Sequence, residues 1–304
     1  MHEPVLLQET IDGLDIQPKD VVIDGTLGRA GHSLEILRRA ATVGAKDIFI
    51  IGIDRDEDAI VESKEKLSEA ATAAAARTEL FKGNFRDMDL FALAAGAKKI
   101  DKILLDLGLS SPQLDSSRRG FSFKNDEPLG MTMEKKPGKD SFTAKDIVNG
   151  WAEEDIANVI YAYGDERYAR RIAKAIVAAR VTAPIETTRD LVAIVESAVP
   201  SIYKRGKIHP ATRTFQALRI AVNDELGSLK AGLQKALGIL SPGGRIAVIA
   251  FHSLEDRIAK NAMKEWRKEG KGQSFTKKPI VPSDAEMARN PRSRSAKLRI
   301  FIKK

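Results

Sequence analysis

Residues 21–40 constrain the fold of this chain more than any other stretch. A short apolar run, Val21, Val22 and Ile23, meets D-G-T-L-G-R-A-G-H at 24–32 and passes into a helical pattern over 33–40. A buried strand that turns through glycines into a helix is the opening half of a βαβ unit. It aims backbone N–H groups and a helix N-terminus at a nucleotide-like ligand. The glycine spacing discriminates among such ligands. Dinucleotide loops place their first two glycines two residues apart, whereas here they fall at Gly25, Gly28 and Gly31. The strand also ends on a carboxylate, Asp24, which repels a pyrophosphate. A ligand that joins an adenosine to a cationic amino-acid part fits instead, and S-adenosylmethionine answers that description.

The same alternation continues along the chain. Strands are expected at 21–24, 48–54, 80–82, 100–107, 245–251 and 297–302, with helices at 32–40, 56–76, 212–240 and 254–266. The I-F-I-I-G-I-D run at 48–54 is apolar at nearly every position, as a parallel strand covered on both faces requires. Asp56 is placed to cap the helix that follows. The series implies an α/β, Rossmann-like, mostly parallel sheet with helices on both sides. Residues 114–211 break the rhythm with helical periods at 152–163, 166–181 and 187–198 and no convincing strand. That is too long for a connection and too organised for disorder, so an inserted all-helical domain is expected there. The sheet domain then comprises 1–113 and 212–304.

Composition narrows the setting. The chain has 304 residues, 43% of them hydrophobic, and no cysteine. Disulfides, thiolate metal sites and cysteine nucleophiles are therefore excluded. No apolar run reaches the roughly 18 residues that span a bilayer, and no signal peptide is evident at the N-terminus. A soluble cytoplasmic protein without membrane attachment is expected. The net charge of +8 is uneven, with thirteen Lys and Arg against four acids over 263–304. Arg289, Arg292, Arg294, Lys297, Arg299, Lys303 and Lys304 occur with no acid among them. A solvated tail and a nucleic-acid contact are both compatible with that run, and charge alone does not separate RNA from DNA. A monomer and a homodimer are both compatible with the sequence.

Open α/β sheets bind ligands at the carboxyl ends of their strands, and three strands here end on acids: Asp24, Asp54 and Asp106. Asp54 stands where an acid commonly chelates ribose hydroxyls. Asp24 either ties down the glycine turn through Thr26 or meets the ligand's amino group. The amides of Ala30, Gly31 and His32 face the ligand, Gly28 lines the loop, and Phe85 either stacks on adenine or packs into the core. The exit of the fourth strand, L-L-D-L-G-L-S-S-P-Q-L-D at 104–115, resembles amine-directed nucleic-acid methyltransferases, in which an acid or amide, a small residue and proline follow this strand. A cytosine amine is a poor nucleophile because its lone pair is delocalised into the ring. Acceptors on the amine hydrogens, here Asp106 and backbone carbonyls near Ser110, Ser111 and Pro112, free that lone pair for attack on a sulfonium methyl. Methylation at ring carbon 5 by a thiolate nucleophile is unavailable to a chain without cysteine. Asp106 and Gln113 also fit a purely cofactor-holding role. No metal is expected, because the sulfonium is already activated.

Seven motifs occur in order: the 24–32 loop, the 104–115 exit, R-G-F-S-F at 119–123, H-P-A-T-R-T-F-Q-A-L-R-I at 209–220, S-P-G-G-R at 241–245, F-H-S-L-E-D-R at 251–257 and N-P-R-S-R-S-A-K-L-R-I at 290–300. Together they resemble, from end to end, the bacterial 16S rRNA (cytosine-N4)-methyltransferases of the RsmH or MraW type. The resemblance implies a class I S-adenosylmethionine-dependent methyltransferase domain with a helical insertion. It implies methylation of a cytidine in the decoding region of the small ribosomal subunit, and cofactor contacts at Ala30, Gly31, His32, Asp54, Phe85, Asp106 and Gln113. The insertion and the basic segment would present a flipped cytidine to Asp106. One departure stands out: P-L-G-M-T-M-E at 128–134 replaces the family's usual P-L-D-M-R-M-D, so Gly130, Thr132 and Glu134 remove an expected ion-pair set and with it a source of order for that loop. A DNA amine methyltransferase shares the chemistry but lacks the R-G-F-S-F and F-H-S-L-E-D-R context. A non-catalytic RNA-binding protein would not need every strand-end acid.

Overall fold

The computed structural model describes residues 4–109, 113–114, 117–134 and 141–304; Ser110, Ser111 and Pro112 lie outside the described residues. In chain order the elements are α1 (Leu7–Leu14), β1 (Val21–Asp24), α2 (Gly31–Val43), β2 (Phe49–Asp54), α3 (Glu57–Ala73), β3 (Arg77–Lys82), α4 (Met88–Ala94) and β4 (Ile100–Asp106). Helices alone follow: α5 (Ala144–Gly150), α6 (Glu153–Gly164), α7 (Ala169–Thr182), α8 (Thr188–Ala198), α9 (Ser201–Lys204) and α10 (Ala211–Asn223). The chain then forms α11 (Glu225–Ile239), β5 (Leu240–Ala250), α12 (Ser253–Lys268), β6 (Gly272–Ser274), α13 (Asp284–Arg289) and β7 (Lys297–Lys303). These elements build two compact units, Met1–Gly108 with Leu226–Lys304, and Leu109–Glu225.

In the sheet unit the strand order is β3-β2-β1-β4-β5-β7-β6. Pairing is parallel from β3 through β5, and β7 runs antiparallel to both of its neighbours. The continuous apolar runs have a simple cause. Consecutive strand residues alternate between two hydrophobic layers, so Val22, Ile50 and Leu104 join one layer while Ile23, Ile51, Ile103 and Leu105 join the other. The first layer is covered by α1, α2 and α3 through Leu14, Ile36, Leu37 and Leu67. The second is covered by α4, α11 and α12 through Met88, Leu233, Met263 and Trp266. Each fully buried Leu or Ile contributes on the order of 2 kcal/mol from burial, which is why both faces must be apolar. The chain travels outward from β1 to β3, then returns to lay β4 on the other side of β1. The switch point, where such sheets open a ligand crevice, therefore lies between the strands ending in Asp24 and Asp106.

The basic run at 289–304 is not a loose tail. Residues 297–303 form β7 in the sheet, Asp256 pairs with both Lys297 and Arg299, and Lys303 Nζ donates to the carbonyls of Leu237 and Leu240. The expected strand at 245–251 begins earlier, at Leu240, because S-P-G-G is absorbed as a register shift opposite Ile100 and Lys102.

The helical unit is larger than the expected 114–211. The helix expected over 212–240 is two helices, since Asp224 adopts a left-handed φ of 46° and ends α10. Phe215 and Leu218 of α10 are buried with Ile156, Ile160, Ile172 and Leu191, so α10 belongs to the helical core and not to the sheet domain. The segment that lacks the family's ion pairs is ordered by its backbone instead. Leu129 N donates to Glu186 O, Met131 N to Arg119 O, and Gly130 O accepts from Ala144 N. Asn223, 2% exposed, fastens it from α10: Nδ2 donates to Met131 O at 2.7 Å and Oδ1 accepts from Met133 N at 2.9 Å.

No helix among the described residues is long and apolar enough to cross a membrane. Replacing Asn223 by Ala removes two hydrogen bonds to the backbone of the 128–134 segment, one of them buried, and is expected to cost about 2–4 kcal/mol. Urea unfolding followed at Trp151, in a Trp266→Phe background, should show a lower midpoint for the helical unit; an unchanged midpoint would contradict the anchoring role.

Candidate active site

Three carboxylates converge on the carboxyl edge of the sheet because register places them there. Asp24 stands level with Gly52 of β2 and Leu104 of β4, and Asp106 level with Ile249 of β5. No Lys or Arg among the described residues forms an ion pair with Asp24, Asp54 or Asp106. Like charges gathered in a desolvated corner hold their protons.

Asp24 is 2% exposed, and burial above all pushes its carboxyl up to about 6, against the bonds it accepts. Those bonds come from the Ser33 hydroxyl at 2.7 Å and the Thr26 amide at 3.3 Å. Asp24 thus does tie down the turn, and Ser33 shares the task. Asp54 accepts from the amides of Gly28 at 2.7 Å and Asp56 at 2.8 Å, and burial raises it too. It pins the first loop to the end of β2. Asp56 caps α3 by accepting from Asp58 N.

Asp106 is the most perturbed of the three. Burial first, then the charges of Asp24 and Glu255, hold it well above the usual carboxylate range. Its amide donates to Thr26 Oγ1 at 2.6 Å, while its buried Oδ1 has no hydrogen-bond partner among the described residues. A buried acceptor without a donor is costly and marks a site for a ligand's donor. His32 Nδ1 lies 3.7 Å from Asp106 Oδ2, and the ring's other nitrogen, Nε2, lies 3.2 Å from Val5 O. Since a carbonyl only accepts, Nε2 carries hydrogen.

The loop is shaped to let these groups meet. A Cβ on Gly25 would stand 2.6 Å from Leu105 Cδ2 and 3.0 Å from Phe85 Cβ, so a larger residue there would displace one of these side chains. Gly108 leaves β4 at φ 114° beneath the Phe251 ring, a conformation closed to other residues. Ala30 sits at a left-handed φ of 61°, and its amide is used in the turn to Leu27 O. That removes Ala30 from the amides expected to face a ligand. Gly31 and His32 head α2, which has no side-chain cap. Phe85 is half-buried, with its ring against Gly232 of α11 and its Cβ over Gly25, so core packing and a place beside the loop coexist. Gln113 belongs to the helical unit, where it is buried and its carbonyl accepts from the Ser117 hydroxyl.

Thr26 was expected as the residue through which Asp24 holds the turn, whereas Ser33 and Glu255 were not singled out. Glu255 is buried, and its Oε2 accepts from the Phe251 and His252 amides in a capping box that starts α12. The spacing of His252 and Glu255 carries that signal, although histidine is not a usual capping residue. Ser33 carries no sequence signal beyond its nearness to Asp24.

The whole chain, residues 1–304, matches the MraW methylase family. It is 46% identical to a protein of Symbiobacterium thermophilum named ribosomal RNA small subunit methyltransferase H, over 99% of this chain and 96% of that one. A protein of the same name from Gloeothece citriformis is 47% identical over 100% of this chain and 94% of its own length. Among solved structures, a putative methyltransferase from Streptococcus mutans in complex with SAH aligns with 100% of this chain and 99% of its own at 12% identity and a TM-score of 0.45, too slight a likeness to argue from.

A carboxyl whose folded pKa exceeds its unfolded value of 3.8 destabilises the fold once ionised. Its folded state is best favoured below 3.8, and the advantage is lost as pH rises through about 6. Asp24→Asn keeps acceptor and donor for Thr26 and Ser33 and removes a burden on the order of 3 kcal/mol at neutral pH. The variant should melt several degrees above wild type at pH 8 and level with it near pH 4. A lower melting temperature at pH 8 would contradict this.

Proposed function

The chain belongs to the MraW methylase family, and from that premise we propose that it transfers the methyl group of S-adenosylmethionine to the exocyclic N4 amine of a cytidine in the decoding region of 16S rRNA, in the cytoplasm. The observation that carries the reading is Asp106: a buried, unpartnered carboxylate oxygen at the switch point of a class I methyltransferase sheet. The donor set fits the cofactor. Asp24 and Asp106 offer negative charge to a cationic methionine moiety, and the uncapped start of α2 offers amides to its carboxylate. Asp54 faces the ribose with the unshared lone pairs of a carboxylate already oriented by Gly28 and Asp56. Phe85 flanks the adenine, and Gln113 is assigned to the adenine side through the family resemblance alone.

The bound sulfonium supplies a methyl group already activated for displacement. Asp106 Oδ1 accepts a hydrogen bond from the cytidine amine, which draws nitrogen toward a tetrahedral geometry and localises its lone pair for in-line attack. As the N–C bond forms, the C–S pair returns to sulfur and the nitrogen becomes cationic. Asp106 takes the surplus proton, and its raised proton affinity makes it a stronger base than an ordinary carboxylate once ionised. The second acceptor is assigned to the backbone near Ser110, Ser111 and Pro112 through the resemblance to amine-directed methyltransferases alone, since these residues lie outside the described ones. Relatives named as small-subunit rRNA methyltransferases and the chain's basic charge support rRNA as the substrate.

Nucleoside analysis of small-subunit rRNA after incubation with methyl-labelled cofactor should give N4-methylcytidine; label on any other nucleoside overturns the reading. Asp106→Asn should lower kcat by about 100-fold or more while the fold, followed by circular dichroism, survives. Because Asp106 must be ionised to accept, kcat/KM should rise with pH along a limb above the ordinary carboxylate range. That limb should vanish in the variant's residual activity.

A further inference from the structure

The most basic feature of the sheet unit stands apart from the carboxylate edge. A pocket is lined by Lys260, Lys264 and Arg267 of α12, by Lys277 and Lys278 after β6, and by Arg299 of β7. The spacing 260, 264, 267 keeps three cations on one face of α12, while Ala259, Met263 and Trp266 turn into the core. Arg299 is neutralised by Asp256, its Nε donating to Oδ1 at 2.7 Å. The other five cations are exposed, and no acid among the described residues pairs with them.

Five unmatched positive charges around one concavity repel one another, and the binding partner that relieves them is a polyanion. The geometry points to a chain and not a single ion. Lys260 to Arg267 extends about 10 Å along the helix, the reach of a few backbone phosphates. The helix also starts near the carboxyl edge of the sheet: Ser253 comes three residues after Ala250, the end of β5, whose Ile249 is Asp106's ladder partner. A strand lying along α12 therefore leads from the pocket toward the strand ends.

We propose that this pocket holds the phosphate backbone of the substrate RNA on the sheet unit, with Lys260, Lys264, Arg267, Lys277 and Lys278 as phosphate ligands. The proposal rests on the rRNA reading above and names where that polyanion is gripped. Phosphate contacts of this kind position the strand without reading its sequence.

The test uses the full chain with S-adenosylhomocysteine and a transcribed fragment of small-subunit rRNA containing the decoding region, followed by fluorescence anisotropy across a salt series. Lys264→Gln with Lys277→Gln should weaken binding about tenfold and lower the log–log salt slope by about 2, close to one unit per lost contact. Calorimetric affinity for S-adenosylhomocysteine should not change. The control pair Lys64→Gln with Lys66→Gln, exposed on α3, should leave the slope alone. An unchanged slope in the pocket variant, or an equal loss in the control, overturns the pocket. The two readings fail separately. Wild-type protein that binds rRNA yet makes no N4-methylcytidine overturns the proposed reaction and leaves the pocket test standing. Wild-type protein that makes N4-methylcytidine while the pocket variant binds as wild type overturns the pocket alone.

Discussion

Asp24, Asp54 and Asp106 share one end of a parallel sheet with no Lys or Arg among the described residues paired with them, and the surrounding structure is arranged around that repulsion. The parallel register brings the three to one edge, with Asp54 and Asp106 each two residues beyond the level of Asp24. Hydrogen bonds from Ser33, Thr26, Gly28 and Asp56 moderate two of the charges. Asp106 is left with a bare oxygen and a raised proton affinity. A protein selected for stability alone would place Asn or Ser at such positions. Retaining acids there costs folding energy and yields a pocket that favours cations and hydrogen-bond donors, the two features a sulfonium and an exocyclic amine bring.

The three acids also divide their labour by environment. Asp54 is satisfied by two amides and is fixed in orientation, which suits the holding of a neutral polyol. Asp24 accepts one bond on each oxygen, from a hydroxyl and an amide. Of the three, only Asp106 has a buried oxygen with no hydrogen-bond partner among the described residues, which is what the proposed contact with the reacting nitrogen uses.

Much of this was legible in the residues. β1, β2 and β4 announce themselves as apolar runs because both of their faces are covered, and each acid marks the point where a strand leaves the core. The extent of the helical unit was harder to read. α10 has an amphipathic pattern that suits either core, and only its packing against Ile156 and Ile160 assigns it. The break at Asp224 depends on a left-handed backbone angle that an aspartate tolerates without advertising. Ser33 was invisible for a related reason: small hydroxyl residues near a turn are common, and the partner that gives this one meaning comes from tertiary placement. The altered 128–134 segment gave a misleading signal, since side-chain charges lost from a loop need not loosen one that is fastened through its backbone.

The sheet unit is interrupted by residues 109–225, so β4 and β5, neighbours in the finished ladder, are made far apart in time. Joining them closes a long loop, and the entropy of that closure falls sharply once the intervening residues have collapsed into a compact helical body. Helices with local contacts form fast. An insertion that condenses first shortens the search that brings the second half of such a sheet to the first.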